Sequence, residues 1–510
     1  VEQVIVVGGG PTGLWAACEL RRAGLPVLLL ERRTERSPHS KALTLHPRTI
    51  EVFAMRGLEG PFLDEGIKLP TGHFGGLEHR LDFRPLDTPY PFTLLYPQAG
   101  TEEILERHAL DLGVRIRRGH AVTGLRQDEA SVGLEVSGPD GDYAERAEYV
   151  VGCDGTGSTV RRAAGIAFPG SDATIVGYLG DVRLDAPPPP GFFRHGAEGT
   201  VMAVPLPGGL HRFVGVDPAG QDVAGTDLTF GEFRETVTRV AGEDFGMRDP
   251  VWLSRFGNAT RQAAEYRRGR VLLAGDAAHM HFPTGGVGLN VGVQDAMNLA
   301  WKLAARIRGQ APDGLLDTYH TERHPVGAAL LESSLAQTAL LAGFSPAGRG
   351  LRSLLCRLVA DHPELSLDLA RRLSALDVAY PSTGPSAHPL TGTRTPDLYL
   401  AGDPEARVYD LLRTGRPLLL DLSGTAPAGA GLAGGALEAA GPRARALGIE
   451  VRSGTLTGAP RPGWSTAGAV LIRPDGHVWW AGDQPSDAAL GTTALEALST
   501  LYPAPLPGAA

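Results

Sequence analysis

The chain opens on an unbroken apolar run, Val4-Ile5-Val6-Val7, then a glycine-rich turn, then an Ala/Leu-rich stretch over 14–23 with helical spacing. A short β-branched run bounded by glycine reads as a strand buried on both faces, and the stretch after it as a helix. Val27-Leu28-Leu29-Leu30 repeats the strand signal and ends on Glu31. Strand, turn, helix, strand is the opening of a doubly wound α/β unit. Helical spacing then predicts helices over 49–56 and 100–112, the second with Glu102 and Glu103 in its first turn, where the helix dipole favours acids. Residues 70–98, rich in Gly, Pro and aromatics, read as short strands and loops. A meander of strands follows over 114–117, 119–126 and 133–136, and a separate strand over 149–153 delivers Asp154-Gly155.

Between 171 and 257 the rhythm changes to period-two alternation broken by Pro/Gly turns, which predicts a mostly antiparallel sheet inserted into the first unit. Its aromatics Tyr178, Phe192 and Phe193 suit a pocket lining or the core of the sheet equally. The first unit resumes with a buried strand over 270–274 followed by Gly275-Asp276. A glycine-rich loop, Pro283-Thr284-Gly285-Gly286-Val287-Gly288, then opens a helix over 289–307. Further helices run to about 376; Leu330-Leu331 and Leu340-Leu341 on their apolar faces suit core packing or a homodimer surface. A Pro/Gly/Thr-rich stretch over 381–396 marks a boundary. Beyond it lie strands at 417–422 and 449–451, a hairpin pairing 469–472 with 477–480, and a last helix over 487–501, enough for a small α/β domain.

At 510 residues the chain is too long for one core, and two or three domains are expected. A net charge of −9 argues against nucleic-acid binding, which calls for a basic face. Cys18, Cys153 and Cys356 are few, odd in number and far apart, as suits thiols in a reducing compartment. No run of about 20 apolar residues predicts a membrane helix, and the first apolar run lacks the basic flank of a signal peptide. A soluble, cytoplasmic protein with no membrane partner is the expectation.

Three motifs carry chemistry. Gly8, Gly10 and Gly13 match the G-x-G-x-x-G template, whose glycines allow a tight turn and the approach of a pyrophosphate to a helix N-terminus; Glu31 stands where a carboxylate can accept from ribose hydroxyls. Asp154 and Asp276 each follow a strand, and an acid there can hold a ribityl or ribose hydroxyl. The helix starting near Leu289 points its N–H groups at an anionic ligand. A second match to the template, Gly429 to Gly434, sits in an Ala/Gly/Pro-rich stretch and reads as a loop. His279 and His281 have no acid or cysteine cluster beside them in sequence, so no metal site is expected. Arg48 suits a flavin contact or a salt bridge on its helix equally.

Together these motifs, at these spacings, resemble the FAD-dependent aromatic hydroxylases related to para-hydroxybenzoate hydroxylase. Ser40-Lys41-Ala42-Leu43, Gly72-His73-Phe74-Gly75-Gly76-Leu77, Thr260-Arg261-Gln262 and Leu316-Asp317-Thr318-Tyr319-His320 look like the branch that tailors aromatic polyketides and includes rifamycin-type drug monooxygenases. The resemblance implies an α/β fold: a Rossmann-like FAD-binding domain (1–170 and 258–385), an inserted mostly antiparallel substrate-binding sheet (171–257), and a thioredoxin-like C-terminal domain (390–510). With no C-x-x-C in the chain, that last domain has no dithiol chemistry. The implied activity is an NADPH- or NADH-dependent monooxygenase that uses bound FAD and O2 to hydroxylate a polycyclic phenol. Baeyer–Villiger oxidation, drug inactivation, dehydrogenation without oxygen insertion and a catalytically silent ligand-binding role are the alternatives.

Carried over by motif, Gly8, Gly10, Pro11, Thr12 and Gly13 cradle the FAD pyrophosphate, with Glu31 on the adenosine ribose and Arg32 beside the adenine. Lys41 stands where the family places an arginine on the pyrophosphate, keeping the charge but not the bidentate fork. Gln98 reaches the ribityl chain or ribose, Asp276 the ribityl O3′ region, Val122 the adenine edge, and Asp154 a ribose or ribityl hydroxyl. Pro283 packs by the isoalloxazine, and Gly286, Val287, Gly288, Leu289 and Asn290 offer backbone N–H groups near N1 and O2. The family usually reads Gly-Gly-Gln-Gly here, whereas this chain has Val287 in place of glutamine. If the glutamine side chain positions flavin or substrate, its loss alters rate or reaction type; if only the backbone matters, Val287 is neutral. No catalytic acid, base or nucleophile is assigned, because the flavin carries the hard chemistry.

Overall fold

In chain order the first unit runs β1 (Glu2–Val7), α1 (Pro11–Arg22), β2 (Val27–Glu31), α2 (Pro47–Ala54), α3 (Gln98–Asp111), β3 (Arg115–Arg118), β4 (Ala121–Gln127), β5 (Val132–Gly138), β6 (Gly141–Gly152) and α4 (Thr159–Ala163). The next holds β7 (Val176–Arg183), β8 (Phe193–Gly196), β9 (Gly199–Leu206), β10 (Leu210–Val216), α5 (Phe230–Ala241) and β11 (Arg248–Gly257). The chain returns through β12 (Val271–Leu273), α6 (Gly288–Ile307), α7 (Thr318–Leu341), α8 (Pro346–Asp361) and α9 (Pro363–Ser374). It closes with β13 (Leu418–Asp421), α10 (Ala440–Ala446), β14 (Glu450–Ser453), β15 (Ala467–Ile472), β16 (Val478–Asp483) and α11 (Asp487–Leu501). The structure, a computed structural model, describes residues 2–221, 226–381, 388–401, 406–423, 437, 440–483 and 487–503.

Strands β12, β6, β1, β2 and β3 form a parallel sheet in that order. β1 is central, with Val4 opposite Val27 on one side and Tyr149 on the other, and its apolar run is buried because both faces are covered. The strand expected over 149–153 is the end of a twelve-residue strand, β6, whose first half pairs with β5 in a hairpin. That half is polar and largely exposed, so the apolar pattern registers only the buried end. Helix α3 starts at Gln98, directly after Pro97, which moves Glu102 and Glu103 out of its first turn.

The inserted sheet has the order β8-β9-β10-β7-β11 and is antiparallel throughout. It carries a helix that alternation does not announce, α5. There Thr229 and Glu232 cap each other's backbone, and Phe233, Val237 and Ala241 form the buried stripe. Tyr178 packs its ring 6.1 Å from Phe233 and donates its hydroxyl to the Thr200 carbonyl at 3.0 Å, so it belongs to the core of the sheet. Phe192 does too, edge-on to Phe245.

The C-terminal sheet has the order β14-β13-β15-β16, parallel only between β13 and β14, as a thioredoxin-like unit requires. It docks on α6 and α7 through a buried charge cluster. Arg473 donates to both Glu322 oxygens at 2.8 Å and bonds Asp475, Lys302 Nζ donates to Glu322 at 2.7 Å, and Trp301 Nε1 donates to Asp475 at 3.1 Å. Arg48 takes the salt-bridge reading: it pairs with Glu51 at 2.9 Å and donates to the Asp475 carbonyl, tying α2 to the C-terminal hairpin turn. Leu331 and Leu340 are buried within the chain, the core-packing outcome. The second glycine template at 429–434 lies outside the described residues. Among the described residues no single helix is long and apolar enough to cross a membrane.

Candidate functional site

The glycine turn after β1 is made by close approach. Gly8 has φ +108°, and a side chain there or at Gly13 would overlap backbone oxygen, of Cys153 and of Gly8 respectively, whereas Gly10 faces open space. Helix α1 begins at Pro11 with Gly10 as its N-cap and no capping side chain, so its first N–H groups are free for an anion. Glu31 accepts from Gly9 N at 2.6 Å and from Arg33 N at 2.9 Å, holding the turn from the end of β2.

Thr12 is the point where the distant motifs meet. A Cβ on Gly275 would stand 2.7 Å from its hydroxyl, and one on Gly292 in α6 would overlap that same hydroxyl. The Gly8–Gly13 turn, the Gly275-Asp276 turn and the start of α6 therefore converge beyond the C-terminal ends of the parallel strands β1 and β12. Asp276 is exposed there, and Pro283 is exposed on the loop before α6. Beneath the turn, Asp295 is fully buried and accepts from Gly275 N at 3.1 Å, His279 Nε2 at 2.7 Å and Arg323 Nε at 2.7 Å. Burial alone would raise Asp295, but Arg323 and His279 outweigh it and hold the carboxyl below its usual range.

The loop before α6 is fixed so that carbonyls point away and N–H groups remain. Gly286 has φ +65° and its carbonyl accepts from Thr44 Oγ1 at 3.0 Å and Asn290 Nδ2 at 2.9 Å. The Gly285 carbonyl accepts from His46 Nε2 at 2.8 Å; burial lowers that imidazole to about 4 against the effect of this bond, so the ring is neutral. Asn290 also accepts from His46 N at 2.8 Å, which locks α6 to the residues before α2. Helix α6 has no side-chain cap, leaving the N–H groups of Gly288, Leu289 and Asn290 for a ligand. Val287 is buried as part of a separate apolar cluster with Leu77, Leu81, Phe83 and Leu373.

Other expected site residues are engaged on the protein. Asp154 accepts from Ser158 Oγ at 2.5 Å, Thr159 N at 2.7 Å and Val160 N at 3.1 Å, so it holds the start of α4. Gln98 accepts from Ala42 N at 3.1 Å and donates to Glu102 at 2.8 Å, stapling the loop that carries Lys41. Val122 is core, paired with Val136. Arg32 and Lys41 are exposed. Thr44, His46, Asp295 and Arg323 are site-building residues that the motifs do not contain; the available signal was a charged residue inside a helix for Asp295 and Arg323, and there was none for Thr44 and His46.

The inserted sheet turns its second face toward this site. With Tyr178, Gly180 and Val182 against α5, alternation puts Leu179 on the opposite face, where register places it beside Val214 and Met202, and Met202 beside Phe193. Phe256 on β11 lies 5.1 Å from Phe282, the neighbour of Pro283, joining this face to the glycine loop. The Gly75-Gly76 segment threads between Phe193 and α7 where no side chain fits, and Arg352 binds both of its carbonyls. Arg212 pairs bidentately with Asp181 at 2.7 and 2.8 Å and reaches the Lys41 carbonyl at 3.3 Å, so sheet and cofactor loop are fastened together. An apolar, partly aromatic sheet face beside two uncapped helix N-termini suits a flat apolar ligand next to an anionic one.

Known proteins agree with this geometry. The FAD binding domain family matches residues 2–334, and the aromatic-ring hydroxylase C-terminal family matches 388–502. The 12-dehydrotetracycline 5-monooxygenase/anhydrotetracycline 6-monooxygenase of Streptomyces rimosus subsp. rimosus is 44% identical over 94% of both chains. The rifampicin monooxygenase of Streptomyces venezuelae is 43% identical over 94% of this chain and 95% of its own. The solved structure of anhydrotetracycline hydroxylase from Streptomyces rimosus superposes with a TM-score of 0.88 at 42% identity, covering 99% of each chain. With the glycine turn, the Asp276 turn and the open start of α6 gathered beyond the same strand ends, and with both halves of the chain matched, the protein belongs to the FAD-dependent aromatic-ring hydroxylases, a family of flavoprotein monooxygenases.

Proposed function

We propose that this enzyme hydroxylates a polycyclic aromatic polyketide, using FAD as bound cofactor, NADPH or NADH as reductant and O2 as co-substrate. The observation that carries the reading is the convergence on Thr12 of three backbone N–H or carboxylate sites beside the partly aromatic face of the inserted sheet. The domain division that suits it is 1–170 with 258–385 for the cofactor, 171–257 for the substrate and 390–510 as a docked support.

In this reading the Gly8–Gly13 turn receives the pyrophosphate, with Glu31 taking the adenosine ribose, Arg32 beside the adenine and Lys41 adding charge. Asp276 accepts from the ribityl chain and Pro283 packs on the ring. The free N–H groups at the start of α6 stabilise negative charge at the pyrimidine end of the ring system. Asp154, Gln98 and Val122 act one step back, holding the elements that touch the cofactor. When bound, FAD supplies hydride acceptance from the nicotinamide and activation of O2. The residues of that sheet face orient the phenol and exclude water, with Phe256 and Phe282 closing the seam between sheet and loop. The burial of Val287 in an apolar cluster supports a working oxygenase over a silent binding protein, because its side chain is absorbed in the protein while the N–H groups at the start of α6 stay uncapped.

The test is NADPH oxidation by the FAD-loaded enzyme with a panel of tetracyclic and angular phenols under isotope-labelled O2. Substrate-stimulated turnover with label on a ring carbon supports the reading. Label within a new lactone replaces it with Baeyer–Villiger chemistry.

A further inference from the structure

His279 and His281 stand two apart on the segment joining the Asp276 turn to the glycine loop, and they face different surroundings. His279 donates to Asp295 and its other nitrogen is enclosed by protein. His281 bonds through Nδ1 to the Phe282 carbonyl at 2.6 Å. A carbonyl only accepts, so Nδ1 carries the proton and Nε2 keeps a lone pair. That Nε2 ends 3.2 Å from where a Cβ on Gly288 would stand, in the space the glycine leaves open at the first residue of α6. Among the described residues it has no hydrogen-bond partner, and it is not among the enclosed atoms. Burial, with His279, lowers the ring below its ordinary value against the opposing effects of the Phe282 bond and Asp276, so the neutral form persists at neutral pH.

The site is otherwise rich in donors: the N–H groups of α1 and α6 and the Lys41 ammonium. His281 Nε2 is an acceptor at the start of α6, and its ring feels the Asp276 carboxylate. The flavin donors that can come near the start of α6 are the ring N3–H and the ribityl hydroxyls, the adenosine hydroxyls belonging at Glu31; the Asp276 carboxylate acts on the His281 ring, which favours the chain that Asp276 holds. We propose that His281 Nε2 accepts a hydrogen bond from a ribityl hydroxyl of FAD and so shares that chain with Asp276. The proposal rests on the cofactor placement given above.

The experiment is titration of apo-protein with FAD, followed by flavin fluorescence, for wild type, His281→Phe, His281→Gln and Asp276→Ala, with urea unfolding of each apo-protein alongside. Phe keeps the ring volume without an acceptor and should weaken FAD binding about tenfold, the effect of one lost neutral hydrogen bond. Gln, which presents an acceptor oxygen, should recover most of it. Wild-type affinity in His281→Phe overturns the proposal. A Gln variant as weak as Phe, with both apo-proteins less stable, overturns it in favour of packing. If Asp276→Ala also binds FAD like wild type, the cofactor placement itself fails, a result separate from the failure of His281 alone.

Discussion

Asp295→Asn tests whether the buried cluster under the Asp276 turn serves the cofactor site. The carboxylate holds three donors, one of them the fully buried Arg323, whose remaining partners are the Tyr380 hydroxyl at 3.1 Å and the Val291 carbonyl at 3.4 Å. An amide oxygen placed toward Gly275 and His279 turns its NH2 against Arg323 Nε; the opposite rotamer orphans the other two donors. Either way Arg323 loses its counter-charge, and uncompensating a buried charge costs about 3–5 kcal/mol. Some relaxation toward Tyr380 lowers this, so about 3 kcal/mol is expected, a large part of a total stability of about 5–15 kcal/mol. Because Gly275 N is one of the donors, the turn should also loosen, weakening FAD binding about tenfold or more. Urea unfolding of the apo-protein and FAD titration read the two effects. Stability within about 0.5 kcal/mol of wild type would refute the argument, since surface-like substitutions fall in that range. Lost stability with unchanged FAD affinity would reduce Asp295 to a structural residue.

Four other outcomes follow from the same geometry. Val287→Gln should lower apo-protein stability by about 1–2 kcal/mol in urea unfolding without raising turnover, because it places an amide among Leu77, Phe83 and Leu373. Gly286→Ala forces a left-handed conformation and pushes against Thr44, a cost of about 2 kcal/mol; FAD titration should show weaker binding. Lys41→Ala should weaken FAD binding several-fold in a salt-dependent way, and Lys41→Arg should match or exceed wild type by restoring the fork. In acid, stability should fall in a measurable step. Burial alone would raise Glu322, but Arg473 and Lys302 hold it at about 2, and Asp295 is likewise held low. Their contribution is complete above roughly pH 5 and is lost as pH drops through the folded values; Glu322→Gln should flatten that part of the urea-versus-pH profile.

Much of this was legible from sequence because the elements that build the cofactor face obey simple patterns. The apolar β1 run, the glycine template and the helix over α6 are short-range signals, and the C-terminal strands and hairpin are bounded by turn residues. What escaped depends on tertiary partners. Asp154 and Gln98 are the right residue types at strand and helix ends, but the structure satisfies them locally, with α4 and with Ala42 and Glu102. Nothing in the pattern around Asp295 or His46 says that one lies under the Asp276 turn and the other behind the glycine loop. Tyr178 could not be assigned to core or pocket until α5 was in view, and α5 itself is amphipathic over a stretch whose neighbours alternate as strands.

The proposed reaction inserts oxygen into an aromatic ring held where the inserted sheet meets the glycine loop. The most direct measurement is mass spectrometry of product formed by the FAD-loaded enzyme from a polycyclic phenol under isotope-labelled O2 with NADPH. One labelled oxygen on a ring carbon, formed with substrate-stimulated NADPH consumption, is the predicted result. Bound FAD with no stimulation by any phenol of the panel, or product without label, would contradict it.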